Sequence, residues 1–334
     1  MRSAASVAEG LSDRHRVVPV LVDKGGRWLL QEGPTPVAQG GEPVFLPPTP
    51  EEKGRLRRLE GGGVASSPDV YFPVLHGTFG EDGTVQGLLE LAAVPYVGAG
   101  VAASAAAMDK ELMKALFAHA GLPQVAYRVL RGRDQAAERD VLESLALPLF
   151  VKPANLGSSV AVSKVKREEE LGRALDLAFT YDRKAMVEAA ALSAREIEVA
   201  VLGNDSPSAS VPGEIVPDRE FYDYDSKYSA DSRTELRIPA PVEEGTALRL
   251  RDLAISAFRA VDCSGYARVD FFVEAGSGRV LLNEINTIPG FTSISMFPKL
   301  WGATGVAYAE LLDRLIDLGF ARHRERSSLR TDYR

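Results

Sequence analysis

The chain predicts a mixed α/β fold, an N-terminal α/β unit followed by two α+β units. Short apolar strands alternate with amphipathic helical stretches along most of its 334 residues. A Gly/Ala-rich stretch at residues 98–105 marks a domain boundary. Residues 268–290, RVDFFVEAGSGRVLLNEINTIPG, place two apolar runs around a Gly-Ser-Gly turn and read as a β-hairpin.

The elements follow in order. Residues 16–23 (RVVPVLVD) form a strand, with a Lys-Gly-Gly turn and a short strand around Trp28 behind it. Residues 69–75 form another strand and residues 84–93 a helix. Ser104 caps a helix through Ala120, stopped by Gly121 and Pro123. The second unit has strands at 124–130, 149–152 and 160–165 and helices at 134–145 and 167–179. The third starts near Met186, with strands at 196–202, 213–216 and 235–239. A helix over 244–261, the hairpin and a helix over 306–318 complete it. The predicted units are 1–103, 104–186 and 187–320, with a basic tail from 321 that frays into solvent.

This length supports two or three domains. A net charge of −7 gives no general attraction to nucleic acid or anionic membranes. The single Cys263 excludes an internal disulfide framework, fits a reducing cytosol and reads as a buried structural thiol. No secretory signal is visible, and the apolar stretch at 91–108 is weak and broken by Pro95, so no membrane span is expected.

The hairpin carries the strongest chemical signal. Alternation puts Arg268 and Asp270 on one face of the first strand and Glu284 and Asn286 on one face of the second. A turn near Ser277 sets Asp270 opposite Glu284. Two carboxylates and an amide suit Mg²⁺ held together with substrate phosphates. The alternative is a surface hairpin with ordinary charges. In KPANLGSSVAVSKV, residues 152–165, Lys152 ends a strand before a Gly157-Ser158-Ser159 loop. Small residues let N–H groups approach phosphate, although the pattern is not a P-loop and also fits a plain glycine hairpin. Lys110 by itself reads as a solvated helix lysine. Glu188 and Glu196 flank a short loop between strands and could bind ribose hydroxyls. His76, Glu81 and Asp82 stand in a loop between a strand and a helix, where a lone histidine is more often structural. The loop at 220–235, EFYDYDSKYSADSRTE, is long, aromatic and aperiodic, and reads as a lid.

HGTFGEDGTVQGLLE, the MDK helix, KPANLGSSV, FYDYDSKY, RVDFFVE and NEINTIPGFTS stand here in the order typical of the D-alanine–D-alanine ligase family. The chain resembles that family, within the ATP-grasp superfamily, from about Ser3 to about Leu318. The resemblance implies a Rossmann-like N-terminal domain and two ATP-grasp subdomains. It implies a cytoplasmic homodimer using ATP and two Mg²⁺ or Mn²⁺ ions for peptidoglycan synthesis. Lys110, Lys152 and the Gly157-Ser158-Ser159 loop would hold ATP phosphates, and Glu188 and Glu196 the adenosine part. Asp270, Glu284 and Asn286 would bind the metals. D-alanine attack on the γ-phosphorus would give D-alanyl phosphate, which the second D-alanine's amine would attack. Arg268 and the Gly290 N–H would stabilise the oxyanion. Lys227, Ser295 and Met296 would hold substrate, Lys227 also lying at the nucleotide. His76 would lie at the substrate, and Ser158 and Tyr228 would act in catalysis.

Two departures stand out. The chain opens on what resembles the helix after the family's first strand and its Glu-His-Glu-Val-Ser segment, so that strand and its substrate-anchoring glutamate are expected to be absent. From this follow an expected gap or rearrangement in the N-terminal sheet, poor solubility and little activity. Ala161 replaces a common glycine, a minor change. Two rivals remain: a D-alanine–D-lactate ligase, against which Tyr228 argues, and a non-catalytic ATP-binding relative.

Overall fold

The computed structural model describes residues 1–11, 13–157, 160–217, 234–292 and 294–330. Helix α1 (Arg2–Leu11) leads into a short meander: β1 (Val20–Val22), β2 (Trp28–Leu30), β3 (Glu42–Phe45), β4 (Leu56–Arg58) and β5 (Val64–Ser66). These strands pair antiparallel in sequence order, with no break between them. Strands β3 to β5 escaped the sequence reading because each is three or four residues long, and Glu42 in β3 and Arg57 and Arg58 in β4 interrupt the apolar pattern. Val44, Leu46 and Leu56 pack with Leu89 of α2 (Thr84–Leu91) and with Val94 and Tyr96 into one small core.

Residues 69–75 are not the strand expected. Their one ladder contact is a parallel bridge from Tyr71 to Tyr96, in which the Tyr71 N–H donates to Pro95 O and the Val97 N–H to Tyr71 O. Pro73 has no N–H to extend that ladder. The helix expected from Ser104 also differs. It starts at Val101 and breaks into α3 (Val101–Met108) and α4 (Lys110–His119), with Ser104 buried inside α3. Asp109 leaves the helical region at ψ 102° and caps α4, its carboxylate accepting from the Glu111 and Leu112 N–H groups. A short polar side chain here competes with the helical hydrogen bonds.

The middle sheet runs β6-β9-β7-β8, all antiparallel. Its strands are β6 (Tyr127–Leu130), β7 (Leu149–Pro153), β8 (Ser163–Val165) and β9 (Ala185–Ala189). Helices α5 (Gln135–Ser144), capped by Asp134, and α6 (Leu171–Tyr181) cover one side through Val141, Leu171 and Leu175.

The last sheet runs β13-β12-β10-β14-β15, with β11 beside β10. Its strands are β10 (Ala194–Gly203), β11 (Ser208–Ala209), β12 (Gly213–Val216), β13 (Glu235–Arg237), β14 (Gly265–Glu274) and β15 (Val280–Asn286). Along β14, Ala267, Val269, Phe271 and Val273 share one core with α7 (Glu244–Ala260). Tyr266 enters a second core with α8 (Met296–Ala303) and α9 (Tyr308–Ser328). Period-two alternation therefore sends Arg268 and Asp270 to the face away from α7.

The expected fraying tail is instead helix as far as Ser328. Arg322 donates to Gly98 O and, at 3.0 Å, to Ser264 Oγ, and lies 4.0 Å over the Tyr96 ring. Burial pushes the Cys263 thiol up to about 12, as expected of a structural cysteine. No helix among the described residues is long and apolar enough to cross a membrane.

Candidate active site

The site begins with strand register. Asp270 stands directly opposite Glu284 and Arg268 opposite Asn286, the pairing expected from a turn near Ser277. A bulge follows Asp270 immediately. Bulges re-aim side chains next to functional sites. On its other side β14 pairs with β10, which sets Glu198 opposite Asp270. Glu198, Asp270 and Glu284 thus form a row across three strands.

Arg268 sits inside that row. Its Nε donates to Asp270 Oδ1 at 2.7 Å and its Nη2 to Asp270 Oδ2 at 2.6 Å, while Glu198 Oε2 lies 3.1 Å from Nε. Burial alone would lower the Arg268 pKa, but Asp270 and Glu198 outweigh it and raise the value. Asn286 Oδ1 accepts from the Ile288 N–H at 2.9 Å.

The lysines come from the middle unit. Glu188 lies opposite Phe150, and Lys152, two residues further along β7, shares that face. Lys152 Nζ reaches Glu188 Oε2 at 2.5 Å, and Lys114 Nζ reaches Oε1 at 2.8 Å. Lys114 and Glu188 are buried, and Lys152 is largely so. Burial raises the Glu188 pKa, and Lys114 and Lys152 together more than reverse this, so it falls below the usual carboxylate range. Burial also depresses Lys110, against the pull of Glu284, and its Nζ donates to Leu156 O at 2.5 Å. For Lys152 burial again lowers the pKa, and attraction to Glu188 and Glu284 reverses it. Glu284 therefore attracts both Lys110 and Lys152.

The substrate-side candidates gather at α1 and the turn after β15. Ser3 Oγ accepts from the Phe291 N–H at 3.3 Å and stands 3.5 Å from His76 Nε2. His76 Nδ1 lies 3.5 Å from Glu81 Oε1, and Glu81 Oε2 accepts from the Gly77 N–H at 2.7 Å. A Cβ built on Gly157 would lie 3.8 Å from that Glu81 oxygen, so the glycine loop reaches the histidine loop. A Cβ on Gly290 would fall 2.8 Å from Ser295 Oγ, which also accepts from the Thr292 N–H at 3.0 Å.

Some expectations change. The Glu188 carboxylate is buried and paired with Lys114 and Lys152, and Glu196 is half-buried on β10. The Met296 side chain packs in the core with Leu300 and Trp301. That leaves its N–H in the first turn of α8, which has no intrahelical partner. Ser158, Ser159, Lys227, Tyr228 and residues 220–233 of the expected 220–235 lid lie outside the described residues. Lys114, Glu198 and Ser3 were missed. Lys114 alone had a signal, its i, i+4 spacing from Lys110.

The donor set fits a divalent cation. Mg²⁺ is commonly held by one or two carboxylates with substrate phosphates, and Asp270 and Glu284 supply two, beside the Asn286 amide. Among the described residues no group of three or more His, Cys, Asp or Glu side chains is disposed to hold a metal alone.

Two family profiles match, described as "D-ala D-ala ligase N-terminus" over residues 1–99 and "D-ala D-ala ligase C-terminus" over residues 116–317. The D-alanine–D-alanine ligase of Heliobacterium modesticaldum is 51% identical over 99% of this chain and 93% of its own. That of Natranaerobius thermophilus is 44% identical over 100% of this chain and 94% of its own. The solved D-alanine–D-alanine ligase of Coxiella burnetii superposes with a TM-score of 0.84 at 39% identity, over 98% of this chain and 92% of that one. The VanG D-Ala:D-Ser ligase of Enterococcus faecalis gives 0.85 at 32% identity, over 95% and 94%.

Proposed function

The chain belongs to the D-alanine–D-alanine ligase family, with the ATP-grasp fold, and from that premise we propose how its residues join two D-alanines at the expense of ATP. The product is the dipeptide of peptidoglycan precursors. The observation that carries the residue assignment is the register of Asp270 against Glu284, with Lys110 and Lys152 within the field of Glu284.

A carboxylate does not accept an amine directly, because its leaving group would be oxide. Phosphorylation corrects this: a carboxylate oxygen of the first D-alanine attacks the γ-phosphorus, ADP leaves, and an acyl phosphate forms. The amine of the second D-alanine then adds to the acyl carbon. Phosphate departs, a proton is released and the peptide bond remains. Lys110 and Lys152 neutralise the phosphate oxygens, and Glu188 holds Lys152 and Lys114 in place. Arg268, flanked by Asp270 and Glu198, faces charge developing on the acyl oxygen together with the Gly290 N–H. Such donors are worth ~3–4 kcal/mol each when prearranged. Asp270, Glu284 and Asn286 would hold the divalent cations, two Mg²⁺ or Mn²⁺ ions, which would supply positive charge to offset that of the ATP phosphates. Ser295 and the Met296 N–H receive the second substrate's carboxylate, where by the family resemblance Lys227 would also act. His76, held by Glu81, borders the first substrate. By the family resemblance, Ser158 and Ser159 would act at the ATP phosphates, and Ser158 and Tyr228 in catalysis.

Identity of 44–51% to proteins named as D-alanine–D-alanine ligases disfavours the D-lactate and non-catalytic alternatives. We place the enzyme in the cytoplasm, where ATP is available, as a homodimer with domains at 1–103, 104–186 and 187–320. The test of the metal assignment is calorimetry of ADP with and without Mg²⁺. Asp270→Asn and Glu284→Gln should each abolish the Mg²⁺-dependent gain in ADP affinity and leave metal-free binding intact. An undiminished gain in both variants sinks the assignment.

A further inference from the structure

The turn between α6 and β9, Asp182-Arg183-Lys184, is used by nothing above, yet it grips both lysine-bearing segments. Lys184 is 2% exposed, and its Nζ donates to Asp109 Oδ2 and, at 2.9 Å, to Glu111 Oε2. Those two carboxylates flank Lys110 at the start of α4, and Asp109 is also the cap that starts the helix. From the same turn, Asp182 Oδ2 accepts from Asn155 N at 2.7 Å and from Asn155 Nδ2 at 2.9 Å. The Ala154 N–H donates to Lys184 O at 3.1 Å, and the Lys110 N–H donates to Ala154 O at 2.9 Å. Three segments distant in sequence are thereby tied at one point: the α3–α4 break, the loop that follows Lys152, and this turn.

A buried ammonium with two carboxylates is a poor source of stability by itself, since desolvation offsets much of the attraction. Its geometry is specific, however. It fixes where α4 begins, and so where the Lys110 ammonium projects, relative to the loop oxygen of Leu156 that Lys110 touches.

We propose that Lys184 is a positioning residue for nucleotide binding. With Asp182 it clasps the start of α4 to the loop after Lys152, so that Lys110 and Lys152 meet the same phosphate chain. Lys184 touches no substrate in this role. The inference rests on the nucleotide reading above.

The test uses the full chain with ADP as probe. Lys184→Met keeps the length and removes the charge; Lys184→Arg keeps the charge; Asp182→Asn loosens the loop half while keeping the shape. Lys184→Met should weaken ADP binding and raise KM for ATP by about tenfold, with KM for D-alanine unchanged within about twofold. Lys184→Arg should restore most of the affinity, and Asp182→Asn should move ADP in the same direction by less. Absence of ADP binding by the unaltered chain overturns the nucleotide reading and the clasp together. Normal binding by the unaltered chain with unchanged affinity in Lys184→Met and Asp182→Asn overturns the clasp alone. So does a parallel rise in KM for D-alanine tracking a fall in melting temperature, which marks general loosening.

Discussion

Single residues here are governed by where their charge is buried. Glu188, itself buried, pairs with the buried Lys114 and the largely buried Lys152, so its loss removes the nearest carboxylate from both ammoniums. Glu188→Gln should destabilise the fold by ~3–5 kcal/mol near neutrality. The pH dependence follows from the lowered pKa of Glu188. Its contribution is complete above the unfolded carboxyl value and is lost as pH falls through the lower folded value. The melting-temperature gap between wild type and Glu188→Gln should therefore narrow between about pH 6 and about pH 3. A gap constant across that range would mean that Glu188 is not the titrating partner. Arg268, Asp270, Glu284 and Asn286 were legible in the sequence because one hairpin carries them all and its turn fixes their register. Lys114, Lys184 and Glu198 were not, because their partners lie on other elements, and a charged residue alone gives no sign that it will be buried.

At the scale of elements, strong period-two or helical patterns survived and short or interrupted ones did not. The hairpin, α2, α5 and α7 formed close to where the pattern put them. Strands β3 to β5 were too short for alternation to register, and α8 is only eight residues long. The break at Asp109 was missed because helical periodicity continues across it. Asp109 does two things there, capping α4 and pairing with Lys184, and two substitutions separate them. Asp109→Asn keeps a capping side chain and loses the charge, whereas Asp109→Ala loses both. Chemical denaturation should find Asp109→Ala less stable than Asp109→Asn by ~0.5–2 kcal/mol, the worth of a cap. Equal stability of the two would show that the side chain does not cap α4.

Across the whole molecule, function depends on parts that are remote in sequence meeting at one place. Ser3 on α1 touches the backbone after β15 and the His76 loop; Glu81 in turn lies beside Gly157. The C-terminal helix braces the same assembly from behind, Arg322 reaching Gly98, Ser264 and Tyr96. Sequence order alone carried the family and the roster of motifs, while these long-range contacts depended on packing that no local pattern encodes. The central claim is that this assembly couples ATP cleavage to formation of one amide bond. It is tested most directly by incubating the chain with ATP, Mg²⁺ and D-alanine, with D-lactate or D-serine offered in parallel, and measuring ADP and product together by mass spectrometry. One D-alanyl-D-alanine is expected for each ADP, whatever the rate, and no comparable product from D-lactate or D-serine. ADP formed without dipeptide, or a preferred D-alanyl-D-lactate or D-alanyl-D-serine product, would contradict it.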